Sequence, residues 1–111
     1  MADLLDTLAD ARTALLGIPN APPVLIRGDE DPGTPEVIVL DWVSDTARPA
    51  YGGSPTAKLV QVGCYAATLA RALDLAQQAR TALTAAGLRF SQSRPAPDPD
   101  AVGVLADYRR G

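Results

Sequence analysis

The segment Glu36–Val43 limits the possible folds of this chain more than any other part of the sequence. It reads EVIVLDWV and is rich in β-branched residues, which favour extended backbone. Because side chains alternate along a strand, its apolar residues divide into two faces: Val37, Val39 and Val43 on one, and Ile38, Leu40 and Trp42 on the other. A strand that is apolar on both faces needs cover on both. A chain of 111 residues has few elements for two covering layers, so we expect one face to meet another subunit.

The remaining patterns place this strand in an α+β fold. A helix is expected over about 3–16, with Asp3 as its cap, and a second helix is expected between Thr68 and Gly87. Further strands are expected at 24–27, 58–66, 88–91 and 102–109. The order α-β-β-β-α-β-β predicts one domain over 1–111, with a mainly antiparallel sheet of four to five strands and both helices on one face.

Two finer predictions concern the second helix and the connection after the first long strand. The apolar positions of the helix predict that one stripe is buried, formed by Leu69, Leu73, Ala76 and Leu83 with Ala72 and Ala79 one row over. Residues 44–57 are rich in Gly, Pro and Ser and are therefore predicted to form a long projecting loop. In the strand that follows, Val60, Val62 and Cys64 are expected to share one face.

The charge distribution argues against nucleic acid as the main partner and is compatible with self-association. A net charge of −3 disfavours nucleic acid as the main partner, and we expect no sequence-specific nucleic-acid binding. Residues 1–55 hold nine acidic and three basic residues, whereas residues 56–111 hold four acidic and seven basic ones. This polarity fits either an ordinary solvated surface or a subunit that assembles head to tail. No apolar run reaches the ~20 residues of a membrane-spanning helix, and we expect neither a membrane partner nor a signal peptide.

The residue types needed for catalysis or metal binding are scarce. The chain has no histidine, and its one cysteine, Cys64, lies within a predicted strand and is expected to be a buried packing residue. The run Asp29-Glu30-Asp31 lacks the alternating ligand spacing of a calcium loop, and the glycines after Tyr51 lead into a strand where a phosphate loop would lead into a helix. We therefore predict a protein that is not an enzyme and has no catalytic, cofactor-binding or metal-binding residues.

The strand and helix over residues 58–83 resemble the tail terminator (tail completion) proteins of long-tailed bacteriophages. In that family a Val-Gln-Val strand that ends in a small and an aromatic residue passes into an Ala-rich helix. The matching positions here are Val60, Gln61, Val62, Tyr65, Leu75, Ala76, Ala79, Ala82 and Leu83. The N-terminal helix, the Pro-containing approach to the first strand and the closing Tyr108-Arg109-Arg110 strand are similar too.

The resemblance implies a structural virion protein of the tail, which resides in the host cytoplasm during assembly. Such a protein forms a hexameric ring on the last ring of the tail tube, stops tube growth and offers a surface to the head–tail connector. Its partners would be further copies of itself, the tail tube protein and the connector protein, and the genome would pass through the ring. The resemblance carries over no catalytic residue and no cofactor.

Ten charged or aromatic residues are candidates for the contacts of such a ring. They are Asp29, Glu30, Asp31, Trp42, Arg48, Tyr51, Arg80, Arg89, Arg109 and Arg110. Two alternatives remain open. One is a head–tail joining or minor tail protein of the same particle, and the other is a small enzyme or ligand-binding domain with a pocket of converging polar groups.

Overall fold

The computed structural model describes residues 4–29, 33–47, 56–97 and 102–110, with backbone only for residue 4 and residues 42–47 and 56–58. The elements follow the order α-β-β-β-α-β-β, which confirms the predicted α+β class. They are α1 (Leu4–Leu16), β1 (Val24–Ile26), β2 (Val37–Ala47), β3 (Thr56–Ala66), α2 (Leu69–Ala85), β4 (Arg89–Pro95) and β5 (Val102–Arg110).

The five strands form one sheet in the spatial order β1-β2-β3-β5-β4. Three of the four strand pairs are antiparallel, whereas β1 runs parallel to β2 with Leu25 opposite Val39. The sheet is therefore mixed, although mainly antiparallel as predicted. Strands β1 and β4 form its two edges, and β5 lies between β3 and β4.

Both helices pack on the same face of this sheet and share one hydrophobic core with it. Strand alternation sends Ile38 and Leu40 of β2 into this core, while Val37 and Val39 lie on the other face. The core side chains of the other strands follow the same alternation: Val60, Val62, Cys64 and Ala66 from β3, and Val104, Ala106 and Tyr108 from β5. The predicted division of β2 and β3 into two faces is thus confirmed for the side chains that the structure describes.

The bounds of α2 agree with the sequence, but the prediction of its buried stripe was partly wrong. Thr68 caps the helix, with its side-chain oxygen accepting a hydrogen bond from the Arg71 backbone N–H (3.2 Å). The residues that α2 buries are Ala72, Leu75, Ala79 and Leu83, while Leu69 and Leu73 are 58% and 51% exposed. Both rows are apolar, so periodicity alone does not choose between them. The buried row includes alanines that let the helix lie close to the sheet.

The predicted loop over 44–57 was also too long. Strand β2 continues to Ala47 and β3 begins at Thr56, and these ends pair across the hairpin. The register shifts between Trp42 and Ser44, which marks a β-bulge. The prediction was wrong because it used composition alone. The residues at both ends of the predicted loop have backbone groups that form hydrogen bonds between the two strands. The connection is therefore confined to 48–55, which lies outside the described residues.

Candidate interaction surfaces

The face of the sheet turned away from the helices, called here the open face, carries half-buried apolar side chains. They are Val37 and Val39 of β2, and Leu59 and Tyr65 of β3. The neighbouring Leu105 of β5 is only 7% exposed. On a sheet with one face in water, the side chains of that face are normally polar. This face is apolar along its central strands and is not covered by either helix.

Tyr65 shapes the open face because its ring lies across two glycines. Gly103 is its partner on β5, and a Cβ atom built there would lie 2.5 Å from the Tyr65 Cδ1. A Cβ atom on Gly63 would lie 2.8 Å from the Tyr65 Cε2. These distances are well inside the 3.5–4.0 Å of favourable carbon contacts. The two glycines therefore allow the Tyr65 ring to lie close to the sheet.

A row of polar residues crosses the open face next to this apolar area. Asp41, Gln61 and Asp107 are aligned across β2, β3 and β5. An arginine contacts each side of the row: Arg27 Nη1 lies 2.6 Å from Asp41 Oδ2, and Arg94 Nη1 lies 3.0 Å from Asp107 Oδ2. The hydrogen bond to Asp41, together with the charge of that carboxylate, raises the pKa of Arg27. The open face is therefore apolar only in part, because this row places two ion pairs across it.

Asp107 is the most buried member of the polar row, at 5% exposure. Its Oδ2 atom accepts hydrogen bonds from Gln92 and Arg94, both at 3.0 Å. Its Oδ1 atom is buried and has no hydrogen-bond partner among the residues that the structure describes. A buried acceptor of this kind is costly in an isolated chain.

Three arginines gather around the edge strand β4, and we call Arg80, Arg89 and Arg109 the basic edge. Arg89 of β4 and Arg109 of β5 are directly opposite each other, and both lie on the open face. Arg80 of α2 approaches from the helical side, with its guanidinium carbon 4.0 Å from the centre of the Phe90 ring. All three are exposed, and none forms an ion pair with any carboxylate in the described parts of the chain.

The opposite edge of the sheet leads into an acidic segment. Edge strand β1 ends at Ile26, and the exposed Asp29 follows it, with its Oδ2 accepting a hydrogen bond from the Ile26 backbone N–H (2.9 Å). Residues 28–47 contain six acidic residues and no basic one. Glu36 and Asp41 are already paired with Arg71 and Arg27. The sheet thus has a basic edge at β4 and an acidic connection that starts from β1.

The structure brings together some of the sequence-predicted interface residues and leaves others apart. Arg80, Arg89 and Arg109 come together at β4, whereas the neighbouring Arg110 is bound to Asp10 of α1 (Nη1 to Oδ2, 2.8 Å). Trp42 lies in β2 next to the bulge, where only its backbone is described. Asp29 lies exposed just after β1, and the remaining four predicted positions lie outside the described residues: Glu30, Asp31, Arg48 and Tyr51.

Sequence reasoning missed several exposed apolar residues that could contact a partner. On the helices these are Leu5, Leu16, Leu69 and Leu73, each more than half exposed. On the open face, Tyr65 and Leu59 were assigned to a face but not to an interface. The sequence could have indicated the exposed leucines of the helices, because α1 and α2 contain more leucines than one buried stripe on each helix can accommodate.

A cleft of about 640 Å³ lies beside Tyr65, between the open face and the β1–β2 connection. Its walls include Val37, Val39, Tyr65 and Val102, with Arg27 and Asp29 at the connection. Cys64, on the opposite face of β3, is 1% exposed, and burial raises the pKa of its thiol to about 12. A neutral, buried thiol is a poor nucleophile. The described residues contain no group of three or more side chains suited to holding a metal ion.

These features define an α+β protein with a mixed five-stranded sheet, one helical face and one open face. Among the described residues, no helix is long and apolar enough to cross a membrane. A scan against models of known protein families found no match for this chain, and a search of curated proteins found no similar sequence.

Proposed function

We propose that this chain is a structural virion protein that forms a hexameric ring at the end of a phage tail tube. In this role it ends tube growth and joins the tube to the head connector, and it passes from the host cytoplasm into the tail during assembly. The observation that carries the proposal is the open face, whose apolar residues Val37, Val39, Leu59 and Tyr65 are only half-buried because no helix covers them. A contiguous group of incompletely buried apolar side chains is typical of a docking surface.

Two further features support the same proposal. The segment that resembles the tail terminator family forms one continuous unit, in which β3 is followed within three residues by α2. The basic edge at β4 and the exposed Asp29 just beyond β1 place opposite charges at opposite edges of the sheet. A closed ring needs such a head-to-tail contact, because each subunit must present a different surface to each neighbour.

The test combines assembly with tube capping. Light scattering after size exclusion should show a hexamer, or a monomer that closes into rings on the ends of purified tail tubes, visible by negative-stain electron microscopy. Val39→Lys places a charge on the open face and should abolish capping without unfolding the chain, as checked by circular dichroism. Ala70→Lys is the matched control, because Ala70 is exposed on α2 and lies away from the open face.

A strictly monomeric protein that ignores tail tubes would contradict the proposal. A wild-type ring whose capping is equally unaffected by both lysine variants would show that the open face is not the docking surface. Labelled electron microscopy of particles separates this role from that of a head–tail joining or minor tail protein. The label would lie at the end of the tube in the first case and on the portal side or elsewhere on the tail in the second.

The cleft beside Tyr65 favours a second candidate function, a small ligand-binding domain. Its volume of about 640 Å³ is within the range of ligand pockets, and its lining combines apolar side chains with Arg27 and Asp29. A thermal-shift screen tests it directly. Stabilisation of a monomer by one metabolite class, lost when Val39→Lys fills the cleft, would favour this candidate over the ring.

A further inference from the structure

We propose that Arg89 and Arg109 bind carboxylates of the protein that docks on the open face. This partner would be apolar where it covers β2 and β3, and acidic where it reaches β4. The inference rests on the proposed function, in which the docked protein is the tail tube protein, and it adds the chemistry of the tube's contact surface.

The charges on the strands of the open face balance everywhere except at one end. Both aspartates of the polar row are ion-paired with an arginine, at 2.6 and 3.0 Å. Arg89 and Arg109 are exposed, and neither has a carboxylate partner among the described residues. The charge that remains on the described part of this face is therefore a pair of cations beside β4.

The position of the two arginines makes them a receptor for an external carboxylate. They are directly opposite each other on neighbouring antiparallel strands, where side chains stand only about 5 Å apart. Like charges at such positions destabilise a sheet. A carboxylate placed between the two guanidinium groups would accept charge-assisted hydrogen bonds from both and remove the repulsion.

Leu59 connects this arginine pair to the apolar part of the open face. It is the partner of Arg109 on β3 and is half-buried. Because side chains stand roughly perpendicular to a sheet, Arg89, Arg109 and Leu59 form one row that a protein lying on this face would contact together. Arg80 lies on the helical side, over the Phe90 ring, and is not part of this row.

A further copy of this chain is a less suitable source of the carboxylates. Opposite charges at the two edges of the sheet can orient neighbouring copies from a distance, but a direct contact needs a free acidic side chain. Six acidic side chains of the described structure are already bonded within the subunit: Asp10, Asp29, Glu36, Asp41, Asp74 and Asp107.

Nucleic acid is also a less suitable occupant. Phosphate backbones need an extended array of cations, whereas the open face offers one pair of them on a chain of net charge −3. An apolar centre with charges at its rim is instead the usual arrangement of a contact between two proteins.

The test uses a substitution that removes the site and should stabilise the fold. Arg89→Glu places a carboxylate opposite Arg109, so the repulsion becomes an attraction and the melting temperature should rise by about 1–5 °C. Binding to purified tail tubes, measured by co-sedimentation, should weaken about tenfold or more, because the new glutamate occupies Arg109 and repels the carboxylates of the tube. Misfolding cannot explain a variant that is more stable and yet binds more weakly.

Two control variants and a salt series complete the test. Arg12→Glu makes the same charge change on α1, where Arg12 is exposed and forms no ion pair with the described residues, and it should bind tubes like the wild type. Arg89→Lys keeps the charge and should bind within about threefold of the wild type. Raising the salt to about 1 M shortens the screening length to about 3 Å. It should weaken tube binding by the wild type more than tube binding by Arg89→Glu.

Four results would contradict the inference. If Arg89→Glu binds tubes as tightly as the wild type, no carboxylate of the tube contacts the arginine pair, while the proposed function stands. If light scattering shows that Arg89→Glu changes the oligomeric state without tubes, the occupant is a second copy of this chain. If Arg89→Glu binds tubes normally but loses binding to duplex DNA, the occupant is nucleic acid. A wild type that never binds the ends of tail tubes would remove the proposed function and this inference together.

Discussion

Replacing Gly103 by alanine tests the packing that makes the open face. The new Cβ atom would lie 2.5 and 2.7 Å from two carbons of the Tyr65 ring and 3.2 Å from the Cβ of Ala96. The closest contact is about 1 Å shorter than favourable carbon contacts allow, so the ring has to leave the sheet. Overpacking of this kind costs about 1–3 kcal/mol. Removing a glycine from a strand returns roughly 0.5–1 kcal/mol. We therefore expect a net loss of about 1–2 kcal/mol.

A double-mutant cycle separates the clash from all other effects of the substitution. In a Tyr65→Ala background the obstructing ring is gone, and Gly103→Ala should become neutral or stabilising by about 0.5 kcal/mol. The coupling free energy between the two positions should then be about 2 kcal/mol. Gly63→Ala gives a graded comparison, because its closest contact with Tyr65 is the longer 2.8 Å, and its cost should be smaller.

Urea unfolding followed by far-UV circular dichroism measures these differences. With a slope of about 1–3 kcal/mol per molar urea, Gly103→Ala should lower the midpoint by roughly 0.5–1 M without changing the slope. A Gly103→Ala variant as stable as the wild type would refute the argument that glycine is needed under the ring. So would a loss of stability that is unchanged by removing Tyr65.

Three further predictions concern the core, the helix cap and the buried thiol. Leu75→Ala should lower the free energy of unfolding by about 2–5 kcal/mol, because Leu75 is fully buried. Leu73→Ala should lower it by less than about 0.5 kcal/mol, because Leu73 is half exposed. Urea unfolding that gives similar losses for the two variants would contradict the observed buried stripe of α2. Thr68→Ala should cost about 1 kcal/mol through loss of the helix cap. Thr81→Ala should be nearly neutral, because the Thr81 hydroxyl only donates to a carbonyl within the helix (3.2 Å). Thermal unfolding that ranks the two variants the other way would contradict the role of Thr68 as a cap. Burial raises the pKa of the Cys64 thiol from 9.0 to about 12, so the thiol ionises at lower pH in the unfolded chain than in the folded one. The free energy of unfolding should therefore fall between about pH 9 and pH 12, by at most about 1.4 kcal/mol per pH unit. A Cys64→Ala variant whose stability falls equally steeply over this range would rule this out.

The order of elements could be predicted from the sequence because its signals are local. Thr68 and Gly87 mark the two ends of α2, and Gly87 adopts a positive φ of 94° there. Alternation along β2 and β3 likewise settles which residues share a face. The parallel pairing of β1 with β2 could not be predicted, because it depends on the path of the 27–36 connection and not on any residue pattern within the strands.

The basic edge shows why the candidate surfaces could be predicted only in part. Arg89 and Arg109 are twenty positions apart, and only the register of β4 against β5 reveals that they face each other. Arg80 joins them through the packing of α2 on Phe90, which no sequence pattern indicates. The choice between Leu73 and Leu75 as the buried residue of α2 fails for a similar reason. Both lie in apolar rows, and the shape of the sheet selects one.

The place of β5 in the sheet also affects the order in which the molecule can form. β5 follows all other elements along the chain, yet it lies between β3 and β4 and supplies Val104, Ala106 and Tyr108 to the core. Within the described structure, β4 has no other strand to pair with. A nascent polypeptide therefore leaves the ribosome with a vacant slot in its sheet until residues 102–110 emerge. A product of interrupted translation that lacked these residues would have neither a finished core nor Arg109.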